Sequence, residues 1–169
     1  MTAAVRADSD LAYMLRYENV AWYGSGQVRI LDRRVYPAKT EFVVCKSHTE
    51  VAQAIKDMVT QSAGPFTAAP MGMALAAWEC RDLCVEKQRE YLKKAADTIA
   101  NSRPTTARRM AVLCAECLKA ADSALESGAD VPQAIVDRTI EMNNERYGLI
   151  DRIARFLVEK FPQNGTDRK

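Results

Sequence analysis

Four of the five cysteines are spaced so that they could hold a metal ion. Cys80 and Cys84 are four residues apart, and Cys114 and Cys117 are three apart. Residues at these spacings share a helix face, so two such pairs on facing helices would surround a tetrahedral Zn²⁺ or an iron–sulfur cluster. Structural zinc sites usually draw their ligands from tight turns, however, and free cysteine is common as a small buried residue. We therefore favour core packing and keep metal binding as the alternative.

The sequence offers little else for acid–base or nucleophilic catalysis. His48 is the single histidine, and it lies within Ser47-His-Thr-Glu50, the residue order of a helix capping box. We expect a surface or capping role for it, since without a second histidine neither a histidine-based metal site nor a Ser–His pair arises. The acidic residues between 57 and 90 alternate with basic ones, which is typical of a solvated, paired helix surface. No residue is predicted to be catalytic.

The elements that would position these residues begin with a small sheet. Apolar, β-branched and aromatic residues dominate 19–23, 27–31 and 41–45, and Gly24-Ser-Gly26 separates the first two runs as a hairpin turn would. Two or three antiparallel strands fit this pattern. So small a sheet is marginal alone and must pack against helices.

Helices follow from residue 47 onward. Apolar residues recur at helical spacing over 51–59, and Gly64, Pro65 and Pro70 indicate a break over 62–70. Further helices are predicted over 71–84, 86–100 and 105–126, and a last one opens at Asp130 and carries its apolar residues to Phe161. The predicted fold is α+β and mainly α: a small N-terminal antiparallel β-sheet followed by a bundle of about five helices.

Length and composition are those of an ordinary globular domain. The chain has 169 residues, 48% of them hydrophobic, and a formal net charge of +2. We expect a lead segment at 1–18, one domain at 19–161 (sheet 19–45, helical bundle 47–161) and a polar tail at 162–169. The near-neutral charge gives no nucleic-acid footprint, and no apolar run is long enough to span a membrane. Without a signal-peptide pattern, a cytoplasmic location with reduced cysteines is expected.

Residues 20–77 resemble the N-terminal part of a known family. The order is a β-rich start, Val28-Arg-Ile-Leu-Asp-Arg-Arg-Val-Tyr-Pro37, a capped helix at 51–59, and Gly72-Met-Ala-Leu-Ala-Ala77. It resembles the methylthioribose-1-phosphate isomerase family, which includes ribose-1,5-bisphosphate isomerases and the regulatory subunits of translation initiation factor 2B. A weaker similarity returns at Arg103-Pro-Thr-Thr-Ala107.

The resemblance also implies what has changed. In these isomerases an Arg-Gly-Ala-Pro-Ala-Ile-Gly loop after the helix helps to hold the sugar phosphate, whereas this chain has Thr60-Gln-Ser-Ala-Gly-Pro-Phe66 there and lacks the arginine. The chain ends at Lys169, about where the second domain of the family, with its catalytic cysteine and aspartate, would begin. We therefore expect a non-catalytic assembly or regulatory module that needs no cofactor.

Two other functions remain open as implications of the resemblance. The chain is one half of a split aldose–ketose isomerase, or it senses a phosphosugar or nucleotide. In either case Gln61, Ser62, Gly64 and Arg103 are the expected contacts of a small phosphorylated ligand. The expected macromolecular partner is a second copy of the chain or a protein that carries the second domain. It would dock on the apolar stripe Ile150/Ile153/Leu157 or on the Met71/Met73 region.

Overall fold

The computed structural model describes residues 6–161, and a three-stranded antiparallel sheet precedes a helical bundle in it. The strands are β1 (Ala21–Gly24), β2 (Gln27–Leu31) and β3 (Phe42–Cys45), in the order β1-β2-β3. The helices are α1 (Tyr17–Val20), α2 (His48–Lys56), α3 (Pro65–Glu79), α4 (Val85–Ala100), α5 (Ala107–Ser127) and α6 (Val131–Lys160). Because α1 is a single turn, the predicted mainly α fold with a small sheet and about five helices is confirmed.

The sheet forms as the sequence predicts and turns one face to the helices. Ser25 and Gly26 both have positive φ (52° and 73°), the conformation of a tight two-residue hairpin turn, and Gly24 pairs with Gln27 on either side of it. Along β2, Val28 and Ile30 are buried while Gln27 and Arg29 are exposed. This alternation places the buried face of the sheet against α3.

The central helix of the bundle is α3, which contacts α2, α4, α5, α6 and β1. Twelve of its fifteen residues are buried, as expected for a helix that is apolar on all sides. It begins at Pro65, so the predicted break over 62–70 is wrong from residue 65 onward. Pro65 is at the helix start, where no amide is needed, and Pro70 is accommodated inside the helix.

The later helices have clear end signals. Gly128 adopts the left-handed conformation (φ 69°) after α5, and the Asp130 side chain accepts a hydrogen bond from the Gln133 amide (2.7 Å) to begin α6. No helix in the described part of the chain is both long and apolar enough to cross a lipid bilayer. The predicted polar tail at 162–169 lies outside the described residues.

Candidate functional site

A cavity of about 130 Å³ lies beside the loop that departs from the family pattern. We call it the loop cavity. Four parts of the chain line it: Met14, Leu15 and Val20; Leu31 and Arg33; residues 60–64; and Arg146 and Tyr147. It therefore forms where the N-terminal segment, the end of β2, the α2–α3 connection and α6 meet.

The connection between α2 and α3 has a tightly specified backbone. Met58 and Ser62 adopt positive φ (60° and 55°), which is uncommon for residues other than glycine and occurs preferentially at functional loops. The Gly64 amide donates to the Gln61 carbonyl (2.9 Å). A Cβ at Gly64 would lie 2.0 Å from Thr60 Oγ1, and Thr60 is buried. Glycine is thus required at position 64 by close packing.

Two arginines from distant parts of the sequence reach the loop cavity. Nε of Arg33, and both Nε and Nη1 of Arg146, are buried and have no hydrogen-bond partner. Neither arginine forms an ion pair within residues 6–161. Their guanidinium carbons lie 5.8 Å and 5.2 Å from the ring centres of Tyr36 and Tyr147, respectively. Aromatic rings therefore hold these cations in place without neutralising them.

The rest of the cavity wall is held by aromatic and backbone contacts. Tyr147 stacks on Tyr17 with ring centres 5.5 Å apart, and its hydroxyl donates to the Leu15 carbonyl (3.0 Å). Burial raises the pKa of Tyr17 well above its ordinary value, so this phenol stays neutral at physiological pH. No described residue that lines the cavity is acidic. The loop cavity is thus a small site with two guanidinium groups, those of Arg33 and Arg146, whose buried N–H groups are unpaired hydrogen-bond donors.

The structure brings together three of the four predicted ligand contacts. Gln61, Ser62 and Gly64 line the loop cavity. Arg103 does not line it; it precedes a short 3₁₀ turn at Pro104–Thr106 before α5, and its Nη1 is buried without a hydrogen-bond partner. Whether any of the four contacts a ligand stays a prediction.

Sequence reasoning missed Arg33 and Arg146. Arg33 and Arg34 are adjacent in the sequence, but only Arg34 forms an ion pair, with Asp32 (2.7 Å). Both arginines lie in the turn that follows β2, where strand alternation does not apply, so no sequence signal separates them. The sequence does not place Arg146 at the cavity either, because that placement depends on how α6 packs against the rest of the fold.

The cysteines behave as core residues rather than as a cluster. Cys45, Cys80, Cys114 and Cys117 are buried, and Cys84 is exposed. No group of three or more potential ligands that could hold a metal ion occurs within residues 6–161. Burial raises the pKa of Cys80 to about 11 and that of Cys114 to about 12, which disfavours the thiolate that metals bind. The alternative of a site built from Cys80, Cys84, Cys114 and Cys117 therefore gains no support here.

His48 joins three helices at a half-buried contact. Its Nδ1 lies 2.5 Å from Glu79 Oε2, its backbone amide donates to Glu79 Oε1 (3.1 Å), and the Tyr91 hydroxyl donates to the same carboxylate (3.2 Å). The Ser47 side chain caps α2 by accepting from the Glu50 amide (3.2 Å). Glu79, which we expected on a solvated surface, is thus an anchor between α2, α3 and α4.

A second unusual surface is the distal half of α6. Every residue from Gly148 to Phe161 is exposed, and one side of α6, continued by Phe161 just after its end, presents six large apolar residues together with Lys160. We call these six apolar residues the α6 stripe: Leu149, Ile150, Ile153, Phe156, Leu157 and Phe161, which are 49–67% exposed. Met71 and Met73, which we expected at a similar surface, are fully buried in α3. That part of the expectation is wrong, because α3 is enclosed on all sides.

Comparison with known proteins finds methylthioribose-1-phosphate isomerases among the relatives of this chain. The chain is 33% identical over 128 residues to methylthioribose-1-phosphate isomerase 1 of Pseudothermotoga lettingae, covering 72% of this chain and 37% of that protein. It is 39% identical over 79 residues to the putative methylthioribose-1-phosphate isomerase of Archaeoglobus fulgidus, covering 46% and 23%, respectively. The chain thus matches little more than a third of the length of these relatives at most. No family model matches the sequence.

Solved structures agree with the sequence relatives. The crystal structure of translation initiation factor eIF-2B, subunit delta, from A. fulgidus superposes with a TM-score of 0.63 and 32% identity, covering 75% of this chain and 36% of that one. The 5-methylthioribose 1-phosphate isomerase of Pyrococcus horikoshii superposes with a TM-score of 0.60 at 23% identity, which shows a shared fold. By sequence and by fold, this chain belongs to the methylthioribose-1-phosphate isomerase family, whose members it matches over their N-terminal portion.

Proposed function

We propose that this chain is a non-catalytic regulatory domain of the isomerase family that binds a small phosphorylated molecule in the loop cavity. The observation that carries the proposal is the pair of guanidinium groups of Arg33 and Arg146. Both have buried nitrogen atoms without hydrogen-bond partners, and both line the same cavity. Buried polar groups in native proteins are nearly always paired, so unpaired ones in a cavity point to a missing partner.

An anion is the partner that satisfies these groups best. Arginine binds phosphate and carboxylate oxygens through pairs of parallel hydrogen bonds, and each charged hydrogen bond is about twice as strong as a neutral one. Gln61, Ser62 and Thr60 add neutral polar groups around the cavity. In this interpretation Arg33 and Arg146 replace the arginine that the altered loop has lost.

The size of the cavity favours a small ligand. Its volume of about 130 Å³ is below the roughly 300–1,000 Å³ of sites that enclose drug-sized molecules. A phosphoryl group with part of a sugar fits this space, whereas a whole nucleotide would project from it. A phosphorylated pentose also agrees with the relatives, which are named for methylthioribose-1-phosphate.

The same lining argues for binding without turnover. An aldose–ketose isomerase must move a proton or hydride between adjacent carbons, which requires a positioned acid or base. Among the described residues of the cavity wall there is no carboxylate, imidazole or thiol. The cavity supplies anion recognition, and the groups for the chemistry would have to come from another polypeptide segment.

Calorimetric titration with ribose 5-phosphate and methylthioribose-1-phosphate tests the proposal, with unphosphorylated ribose as the ligand control. We expect saturable binding of a phosphorylated sugar and none of ribose. Arg33→Gln and Arg146→Gln should each weaken binding about 10- to 100-fold, because each removes charged hydrogen bonds. Arg108→Gln is the matched control, since Arg108 is exposed and lies outside the cavity.

Two results would contradict the proposal. Absence of saturable binding at millimolar phosphosugar would show that the cavity does not bind a phosphorylated sugar. Conversion of methylthioribose-1-phosphate by the purified chain alone would refute the non-catalytic role, and conversion only after mixing with a second-domain protein would favour the split isomerase.

A further inference from the structure

Residues 9–16 form a surface loop whose two ends are tied together. Asp8 and Tyr17 flank this loop, are 0% and 1% exposed, and are joined by a hydrogen bond from the Tyr17 amide to Asp8 Oδ2 (2.6 Å). Every residue between them is exposed or half-buried. Compact loops of about 6–16 residues with adjacent ends are Ω-loops, which frequently have a functional role. We call residues 9–16 the N-terminal Ω-loop.

The N-terminal Ω-loop forms one wall of the loop cavity and is held there by a hydrogen bond from α6. Met14 and Leu15 line the cavity, and the Tyr147 hydroxyl donates to the Leu15 carbonyl (3.0 Å). In the part of the chain that the structure describes, the other hydrogen bonds of the loop reach no further than Asp8 on one side and Val20 on the other. The bond between Tyr147 and Leu15 is therefore a latch between the loop and α6.

The other walls of the cavity are fixed by the fold. Leu31, at the end of β2, and Thr60, in the α2–α3 connection, are each 1% exposed, and Thr60 packs closely against Gly64. The fourth wall belongs to the continuous helix α6. By contrast, the 3₁₀ turn Tyr13–Leu15 within the N-terminal Ω-loop contains no buried residue. Segments with few buried apolar contacts open at a lower free energy than the rest of a fold, so the N-terminal Ω-loop is the wall that moves most easily.

The size of the cavity calls for a movable wall. Its volume of about 130 Å³ accommodates a phosphoryl group with part of a sugar. The cavity can enclose a whole phosphosugar only if one wall moves outward. Movement of the N-terminal Ω-loop enlarges the cavity and leaves Arg33 and Arg146 in place, because both arginines belong to other walls.

From these observations we infer that the N-terminal Ω-loop is a lid that opens to admit a phosphorylated sugar and closes over the bound molecule. The hydrogen-bonded base formed by Asp8 and Tyr17 confines the movement to residues 9–16, and release of the bond between Tyr147 and Leu15 opens the lid. The inference rests on the proposed function, since it assigns the lid to the same ligand. Closure excludes water and thereby strengthens the charged hydrogen bonds between the two arginines of the cavity and the ligand.

Hydrogen exchange of the full chain, followed by mass spectrometry, measures lid opening without a ligand. Tyr147→Phe removes the hydroxyl that donates to Leu15 and keeps the ring that stacks on Tyr17. We expect the hydrogen-bonded backbone amides of residues 9–16 to exchange about fivefold faster in this variant, as the loss of one hydrogen bond predicts, and the exchange of α3 to stay unchanged. Tyr13→Phe is the matched control, because the Tyr13 hydroxyl lies in the same loop and has no hydrogen-bond partner in the described chain.

The same measurement with ribose 5-phosphate at saturating concentration tests whether the lid closes over the ligand. Closure should slow the exchange of residues 9–16 at least about fivefold, since a ligand that binds the closed form stabilises that form by mass action. Unphosphorylated ribose is the ligand control and should leave the exchange unchanged.

Three results would overturn the lid. The first is exchange of residues 9–16 in Tyr147→Phe that matches the wild type. The second is faster exchange over the whole chain, which shows general destabilisation, and the third is bound ribose 5-phosphate that leaves the exchange of the loop unchanged. Failure of the proposed function looks different: neither the wild type nor Tyr147→Phe then binds ribose 5-phosphate in the calorimetric titration, and the inference falls with it.

Discussion

The five cysteines differ in burial, and burial controls their chemistry. Four are buried and Cys84 is exposed at the start of α4. Burial raises the pKa of Cys45 and Cys80 to about 11 and that of Cys117 well above its ordinary value. A thiol reacts through its thiolate, so the buried cysteines are both shielded and chemically inactive at neutral pH.

We therefore predict that one thiol of the native protein reacts rapidly with Ellman's reagent at pH 8. Cys84→Ser should abolish this rapid reaction, and denaturation of the wild type should expose all five thiols. The reaction is followed by the released chromophore. Rapid reaction of two or more thiols in the folded protein would contradict the burial of the other four.

Individual residues also show which parts of the loop cavity could be predicted from the sequence. Gln61, Ser62 and Gly64 were placed in the loop by family resemblance, and the structure puts all three at the cavity. Arg33 and Arg146 are 113 positions apart in the sequence, and only the packing of α6 beside the end of β2 brings them together. No local pattern encodes such a meeting, so the cationic half of the site was not predictable.

Among the elements, α3 is where local and tertiary preferences disagree most. The residues Gly64, Pro65 and Pro70 indicate a break, yet α3 runs from Pro65 to Glu79. Pro70 removes one backbone hydrogen bond, but twelve buried residues of α3 contribute apolar burial of about 25 cal/mol per Å². The free energy gained by this burial outweighs the cost of the lost hydrogen bond. A prediction from turn-forming residues misses this gain, because the gain comes from tertiary packing.

Gly72 shows how closely α3 fits its neighbours. A Cβ at this position would lie 2.9 Å from Val51 Cγ1 and 3.1 Å from Ile99 Cδ1. Both side chains are fully buried, in α2 and α4, respectively. Glycine therefore permits three helices to approach at one point.

We predict that Gly72→Ala destabilises the fold by about 1–3 kcal/mol, since overpacking a core outweighs the better helix propensity of alanine. Urea unfolding monitored by circular dichroism measures the change. The matched control is Gly148→Ala in α6, where a Cβ meets nothing within 4 Å, and a gain of about 0.5–1 kcal/mol is expected. The double variant Gly72→Ala/Val51→Ala should recover part of the loss, and equal effects at both glycines would contradict the close packing.

At the scale of the whole molecule, an ionic network ties the N-terminal segment to the body. Asp8 is fully buried; its carboxylate accepts from Arg6 Nε (2.8 Å) and from the Tyr17 amide (2.6 Å). Arg6 also pairs with Glu18. The segment in turn supplies Met14 and Leu15 to the loop cavity. Loss of this network would therefore loosen one wall of the proposed ligand site.

The network has a defined pH dependence. Burial alone would raise the pKa of Asp8 and of Glu18, but the hydrogen bonds and positive charge of Arg6, together with hydrogen bonds from backbone amides, outweigh burial and hold both pKa values below their ordinary values of 3.8 and 4.5. In the Asp32–Arg34 pair, the guanidinium hydrogen bond likewise lowers the pKa of Asp32. These carboxyl groups have lower pKa values in the folded protein than in the unfolded chain. At a pH between the two values the unfolded chain binds more protons, so the free energy of unfolding falls as the pH decreases through this range.

We predict that the free energy of unfolding is nearly constant from pH 7 to pH 5 and declines below about pH 4.5. Asp8→Asn should lower stability at pH 7, because Arg6 loses a charged partner, and should make the decline below pH 4.5 shallower. Asp10→Asn is the control, since Asp10 is exposed. Urea midpoints between pH 3 and pH 7 measure these slopes. If Asp8→Asn kept the full acid dependence of the wild type, the Arg6 network would not be what holds the N-terminal wall of the loop cavity in place.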